Sequence, residues 1–451
     1  MIEFAELTSP YRANATRALQ ELVRIDSVYD EKTISPATPY GAGVEKALKY
    51  VGRLARQFGF DVDYCDNRLV EISYGKGDNL IAVFAHADVV PTGLGWKHQP
   101  FDADIEKGRM YGRGTSDDKG PLIAAFYAIK ALKDNELIKN YRIRLIIGGD
   151  EERGSSCLKY YFHNLKKEAP TYGFTPDATF PLVYGEKGIS NFRSRLNIVL
   201  PGIISISGGQ VVNSVIDRTV VLMKSDPGFE KYLEGHKSKP VIERGNGTSK
   251  VTFIGRAAHG STPKAGINAG LIALEALGSF YHNDLISKIT RLFEGLDGKP
   301  FKGYAQSRDL GETTYNVGII AYDGRALELN VNFRYPEKVD AKNIVAKFDE
   351  ASGLTSEIYS TSPVLLFPLK TPLVRTLLEA YRLETLDKRS KPITMGGGTY
   401  AKEAANTVAF GAAFPEENPH MHEANECIIL NNFYLSMAIF ARAVHMLGNL
   451  R

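Results

Sequence analysis

Two strongly apolar runs, Asn79-Leu-Ile-Ala-Val-Phe-Ala85, apolar from Leu80 on, and Ile143 to Ile147, broken only by Arg144, most restrict the folds open to this chain. A strand covered on one face alternates apolar and polar residues. A strand apolar at every position has to be covered on both faces, as in an α/β sheet. Between the runs, Pro121 to Leu132 is apolar on a helical period. Upstream, Val44, Leu48, Val51, Leu54 and Ala55 recur at helical spacing and stop near Gly59, a helix-ending glycine. This alternation predicts an α/β fold with a mixed, mostly parallel sheet and helices on both faces. In such sheets ligands bind beyond the carboxyl ends of the strands. There the first run is followed by His86 and Asp88, and the second by Gly148-Gly149-Asp150-Glu151-Glu152.

At 451 residues the chain exceeds one ordinary core, so more than one domain is expected. The pattern changes after Gly188. Residues 189–375 read as strands and long helices with few candidate catalytic groups, and alternation is clear in Leu327, Leu329, Val331 and Phe333 and again in Val251 and Phe253. The reading is a catalytic domain in two parts, 1–188 and 376–451, with an inserted α+β lid domain at 189–375. Hydrophobic residues at 43% and charged residues at 24% suit a soluble globular enzyme. A net charge of +3, from 55 basic and 52 acidic residues, argues for neither nucleic acid nor a membrane surface as partner. Cys65, Cys157 and Cys427 are scattered and odd in number, unlike a secreted disulfide framework, and the N-terminus has no leader-like apolar stretch; a reducing cytoplasm is expected.

Five groups of metal-binding type fall at loop positions after apolar strands: His86, Asp117, Glu152, Asp177 and His422. Imidazole and carboxylate without thiolate suit zinc, manganese or cobalt. Singly, each has an ordinary structural reading. Asp177 in Pro176-Asp177 suits a turn, and Asp117-Asp118-Lys119-Gly120 before a helix suits an N-terminal cap. Their succession at strand ends is what points to a metal site. Asp118 competes with Asp117, and His420 with His422. His98, His163, His236, His282 and His445 match no pattern and read as structural.

The strings His86-Ala-Asp88-Val-Val-Pro, Gly112-Arg-Gly-Thr-Ser-Asp117-Asp118-Lys-Gly120 and Gly149-Asp-Glu151-Glu152-Arg-Gly-Ser resemble the aminoacylase/carnosinase family of co-catalytic zinc peptidases. Pro176-Asp177-Ala-Thr-Phe-Pro, Met395-Gly-Gly-Gly-Thr-Tyr400 and the long insert are similar to its bacterial Xaa-His dipeptidases, the PepV type. The resemblance implies two divalent ions per chain, zinc first, bridged by Asp117, with His86 and Asp177 completing one and Glu152 and His422 the other. It implies Glu151 as general base and Asp88 as the clamp on the His86 imidazole. It also implies a cis Asp117–Asp118 peptide. Asp117 and His422 are favoured over Asp118 and His420 on the same ground.

In the insert, Gly255-Arg-Ala-Ala-His259-Gly-Ser resembles the family segment whose His stabilises the tetrahedral oxyanion. Arg334 resembles the Arg that grips a substrate carboxylate. Asn213 resembles a further lid contact, and Gly396, Gly397 and Gly398 would let backbone amides approach the substrate. The implied activity is hydrolysis of unblocked dipeptides by a metal-activated water. Two alternatives stay open: an N-acyl amino acid deacylase or desuccinylase with the same centre, and a non-catalytic metal-binding protein. An insert of about 185 residues favours the dipeptidase and a monomer, and an intact Glu151 favours catalysis.

Overall fold

Every residue from Leu80 to His86 of the Asn79–His86 strand is buried, so both of its faces are covered. The computed structural model describes residues 2–450 and divides into two compact units. One holds residues up to Gly185, Leu366–Thr394 and the chain from Thr399 on; the other holds Glu186–Leu365 and Met395–Gly398.

In the first unit Asn79–His86 pairs in parallel with Tyr141–Gly148 on one side and Tyr172–Thr175 on the other, and Thr407–Ala409 extends the parallel set. The flanks are antiparallel: Leu69–Gly75 and Asp61–Asp63 beyond Tyr141–Gly148, and Val183–Glu186 beyond Thr407–Ala409. The sheet is therefore mixed, with a parallel centre. His86 and Gly148 share a register position, so the Asp88 and Glu151–Glu152 loops leave the sheet side by side. The Lys119–Asp134 helix is buried nearly all round, from Lys119 to Ile129 without a break, and packs against the closing helix Leu430–Gly448. A helix apolar on all sides is what a fully covered position requires. The Ala42–Gln57 helix is amphipathic instead. It buries Val44, Leu48, Val51 and Ala55 and ends just before Gly59 at φ +72°.

The second unit is built on an eight-stranded, wholly antiparallel sheet. Leu327, Leu329, Val331 and Phe333 are fully buried in its core with Val251 and Phe253, under helices that include Ala269–Phe280 and Ala341–Ser352. Strand residues alternate faces. The same Ala326–Tyr335 strand therefore presents Asn330, Asn332 and Arg334 on the opposite, polar face. This unit differs in extent from the 189–375 read from composition. Residues 366–375 belong to the first unit, because the Pro372–Thr385 helix buries Leu373, Val374 and Leu377 in that unit's core. The Met395–Gly398 segment belongs to the second, where the Lys187 N–H donates to the Met395 carbonyl at 3.1 Å.

Candidate metal centre

Asp117 faces two imidazoles. Its Oδ1 lies 3.0 Å from His86 Nε2, and its Oδ2 lies 2.9 Å from His422 Nε2. His86 stands there as the last residue of its strand, and Asp117 is brought there by a loop folded over the start of the Lys119–Asp134 helix. That overlay needs Gly120, since a Cβ there would lie 2.0 Å from the Thr115 carbonyl oxygen. Asp177, just beyond the Tyr172–Thr175 strand, sets Oδ2 3.9 Å from His86 Nε2. Glu152 sets Oε1 3.1 Å from His422 Nε2. Two sets of donors thus close on a point each, His86–Asp117–Asp177 and Asp117–Glu152–His422, with the donor atoms of each set within 4.8 Å of one another.

The hydrogen bonds fix which atoms are available. His86 Nδ1 lies 2.9 Å from the Asp88 carbonyl oxygen, which can only accept, so Nδ1 carries a proton and Nε2 is the nitrogen that faces the cluster. The sequence reading expected the Asp88 carboxylate to clamp this imidazole. Its Oδ1 is 3.4 Å away, and the main contact is the backbone carbonyl. The carboxylate instead accepts the backbone N–H groups of Glu151 and Glu152, each at 3.2 Å.

The cap reading of Asp118 fails. Asp118 precedes the helix but makes no side-chain cap bond; its Oδ2 accepts the His86 N–H at 3.1 Å, and its buried Oδ1 has no partner among the described residues. The Asp117–Asp118 peptide is cis. His420 stands outside both donor sets, with Nδ1 on Glu423 Oε2 at 3.2 Å.

Electrostatics indicate what the cluster lacks. Asp88, Asp117, Asp118, Glu151, Glu152 and Asp177 gather around two imidazoles. Burial, and after it the Asp117 and Glu151 charges, push the Asp177 carboxyl well above its ordinary range. Burial does the same to Glu151, where the neighbouring His86 opposes the shift and Glu152, Asp117 and Asp88 add to it. A buried surplus of carboxylates with one orphaned oxygen, and no thiolate, is a donor set that divalent cations would neutralise.

The remaining sequence candidates lie in the second unit, and several come together there. The Gly260 N–H donates to the Asn213 carbonyl at 2.7 Å, directly after His259. His259 Nδ1 is 2.6 Å from Ser261 Oγ. A Cβ on Gly396 would fall 2.7 Å from the Ser261 Cβ. Arg334 donates through Nη1 to the Gly396 carbonyl and through Nε to Asn332 Oδ1 at 2.8 Å. It is only 3% exposed, yet no carboxylate of the described residues pairs with it. Burial pushes its guanidinium down to about 10, so it stays charged at neutral pH. Gly397 and Gly398 follow Gly396 in the same segment of the second unit. The sequence reading passed over two buried residues behind Asp117, Arg113 and Glu426. The signal in the sequence is slight: Arg113 stands between Gly112 and Gly114, and Glu426 stands directly before the apolar Cys427-Ile-Ile.

A buried carboxylate–imidazole cluster at the carboxyl ends of parallel strands, beside a general-base candidate, defines a metal-dependent hydrolase. The chain belongs to peptidase family M20/M25/M40, whose model matches residues 82–446, and it is a metal-dependent peptidase of that family. It is 35% identical to the Staphylococcus haemolyticus protein named "Putative dipeptidase SH1171", over 98% of each chain. It is 36% identical to "Putative dipeptidase YtjP" of Bacillus subtilis, over 96% of each. Among solved structures, human carnosine dipeptidase 1 matches with a TM-score of 0.60 at 14% identity, covering 99% of this chain and 98% of that one. The dipeptidase Dug1p of Saccharomyces cerevisiae matches at 0.61 and 14%, with the same coverage. These structural likenesses concern the fold.

Proposed function

We propose that the chain is a dipeptidase that works with two divalent ions, zinc in the first instance, bridged by Asp117. The observation that carries this reading is the Asp117 carboxylate facing His86 and His422 through different oxygens, at 3.0 and 2.9 Å. His86 and Asp177 would hold one ion, and Glu152 and His422 the other. When bound, such ions polarise a peptide carbonyl and lower the pKa of water.

In this reading Glu151 takes the proton of the attacking water and returns it to the leaving amine nitrogen, a role for a carboxylate placed beside the two donor sets. Asp88 holds Glu151 and Glu152 by their amides, so the base and its neighbouring ligand move as one. His259 is assigned the oxyanion contact, and Asn213 a supporting one, by the sequence resemblance. Arg334, buried and without a carboxylate partner, takes the substrate's carboxylate, with the backbone of Gly396, Gly397 and Gly398 alongside. The anionic surplus of the cluster favours a free amino terminus. Both ends of an unblocked dipeptide are thereby recognised, including the Xaa-His dipeptides of the PepV-type resemblance.

The names of the relatives support the substrate class. The three cysteines are free and buried, which fits a reducing cytoplasm, and no helix among the described residues is long and apolar enough to cross a membrane. The protein acts as a monomer in this account. Mixing the Glu151→Gln and His259→Ala chains tests that point, because recovered activity would mean sites shared between chains.

The function is tested with a hydrolysis panel on metal-reconstituted protein. Dipeptides should exceed tripeptides and N-acetyl or N-succinyl amino acids in kcat/KM by roughly a hundredfold. N-acyl amino acids outrunning every dipeptide would make the chain a deacylase.

A further inference from the structure

Glu426 is 0% exposed and collects four donors. Its Oε1 accepts the backbone N–H groups of Gly114, Ser116 and Asp117 at 3.1, 2.9 and 3.1 Å. Its Oε2 pairs with Arg113 Nη1 at 2.6 Å. Arg113, 1% exposed, donates through Nη2 to the carbonyls of Pro91 and Thr92 at 3.2 and 3.4 Å, which ties in the chain beyond Asp88. Two further bonds join the same segments: the Gly112 N–H to the Glu426 carbonyl at 2.9 Å, and Ser116 Oγ–H to the Cys427 carbonyl at 2.8 Å.

We propose that Glu426 is a positioning residue for the metal centre, locking the loop that ends in Asp117 to the segment that carries His422. This rests on the metal-centre reading above and deepens it. A plain buried ion pair would need Arg113 alone. Here three of the four donors are backbone amides of the one loop whose last member is Asp117, and Glu426 lies four residues after His422. One carboxylate oxygen accepting three converging N–H groups fixes the loop's course, and charge-assisted bonds are the stronger kind. The distance between the Asp117 carboxylate and the His422 imidazole is thus set through Glu426, which touches neither the ions nor the substrate.

The test measures zinc affinity by competition with a fluorescent chelator, on the full wild-type chain, Glu426→Gln, His422→Ala and the double variant. Glutamine keeps the size and one acceptor oxygen but turns an N–H₂ group towards the Arg113 donors. Glu426→Gln should weaken zinc binding by about 10- to 100-fold, the usual effect of losing a partner that orients a metal ligand. In the His422→Ala background the same change should cost several times less, because one of the two groups it aligns is gone. Unchanged affinity, or an equal loss in both backgrounds, overturns the proposal. If Glu426→Gln does not fold, Ser116→Ala serves. It removes one bond of the same lock and should weaken zinc about 2- to 10-fold, the worth of a single neutral hydrogen bond; no change there also overturns the proposal. A wild-type chain that binds no zinc instead sinks the metal-centre reading, and this proposal with it.

Discussion

The Asp88 carboxylate accepts the backbone N–H of Glu151 at 3.2 Å, so the residue whose carbonyl faces His86 Nδ1 also sets the position of the candidate base. Because Glu151 is held by its backbone, its side chain can be changed without disturbing the hold. Glu151→Gln should keep the fold and the full metal content and lower kcat by on the order of 10²–10⁴-fold. Metal analysis beside steady-state kinetics checks this. A loss of metal with high residual turnover would make Glu151 a ligand.

Asp88→Asn separates the two jobs of Asp88. The backbone carbonyl on His86 Nδ1 is untouched by the change. The side chain, however, loses one of the two acceptors for the Glu151 and Glu152 amides. The expected result is a kcat reduced by roughly 10- to 100-fold, with His86 still able to ligate. Zinc binding abolished altogether would show that the carboxylate, not the carbonyl, orients the imidazole.

The frame of the site was legible in the sequence because its groups sit where buried strands end. Leu80–Ala85 is apolar throughout and Ile143–Ile147 is apolar but for Arg144, and a strand covered in this way leaves its chemistry to the residues that follow, here His86 and Glu151–Glu152. Other features depend on long-range contacts that leave no local pattern. Asp118 has the position of a helix cap but spends its carboxylate on the His86 N–H. Asp88 has the spacing of an imidazole clamp, whereas its oxygens go to amides 63 and 64 residues away. Arg113 and Glu426 are 313 residues apart, and neither charge looks buried until the loop closes over both. The extent of the second unit leaves little local pattern for a related reason. The amphipathic Pro372–Thr385 helix has the same period whichever core it buries its face in.

Arg334→Ala should flatten the preference for dipeptides. A buried guanidinium left without its carboxylate partner costs about 3–5 kcal/mol, so a tripeptide that carries its carboxylate past Arg334 is disfavoured in the wild type. Removing Arg334 weakens dipeptides most and brings the kcat/KM ratio of dipeptide to tripeptide close to one. A ratio that survives the substitution would move carboxylate recognition elsewhere.

The proposed turnover of dipeptides requires two ions that share Asp117. The most direct measurement is a zinc titration of the metal-free protein, following dipeptide hydrolysis against ions bound per chain. No turnover is expected without metal, and activity should level off at two ions per chain. Full activity in the metal-free protein, or a plateau at one ion, would contradict this.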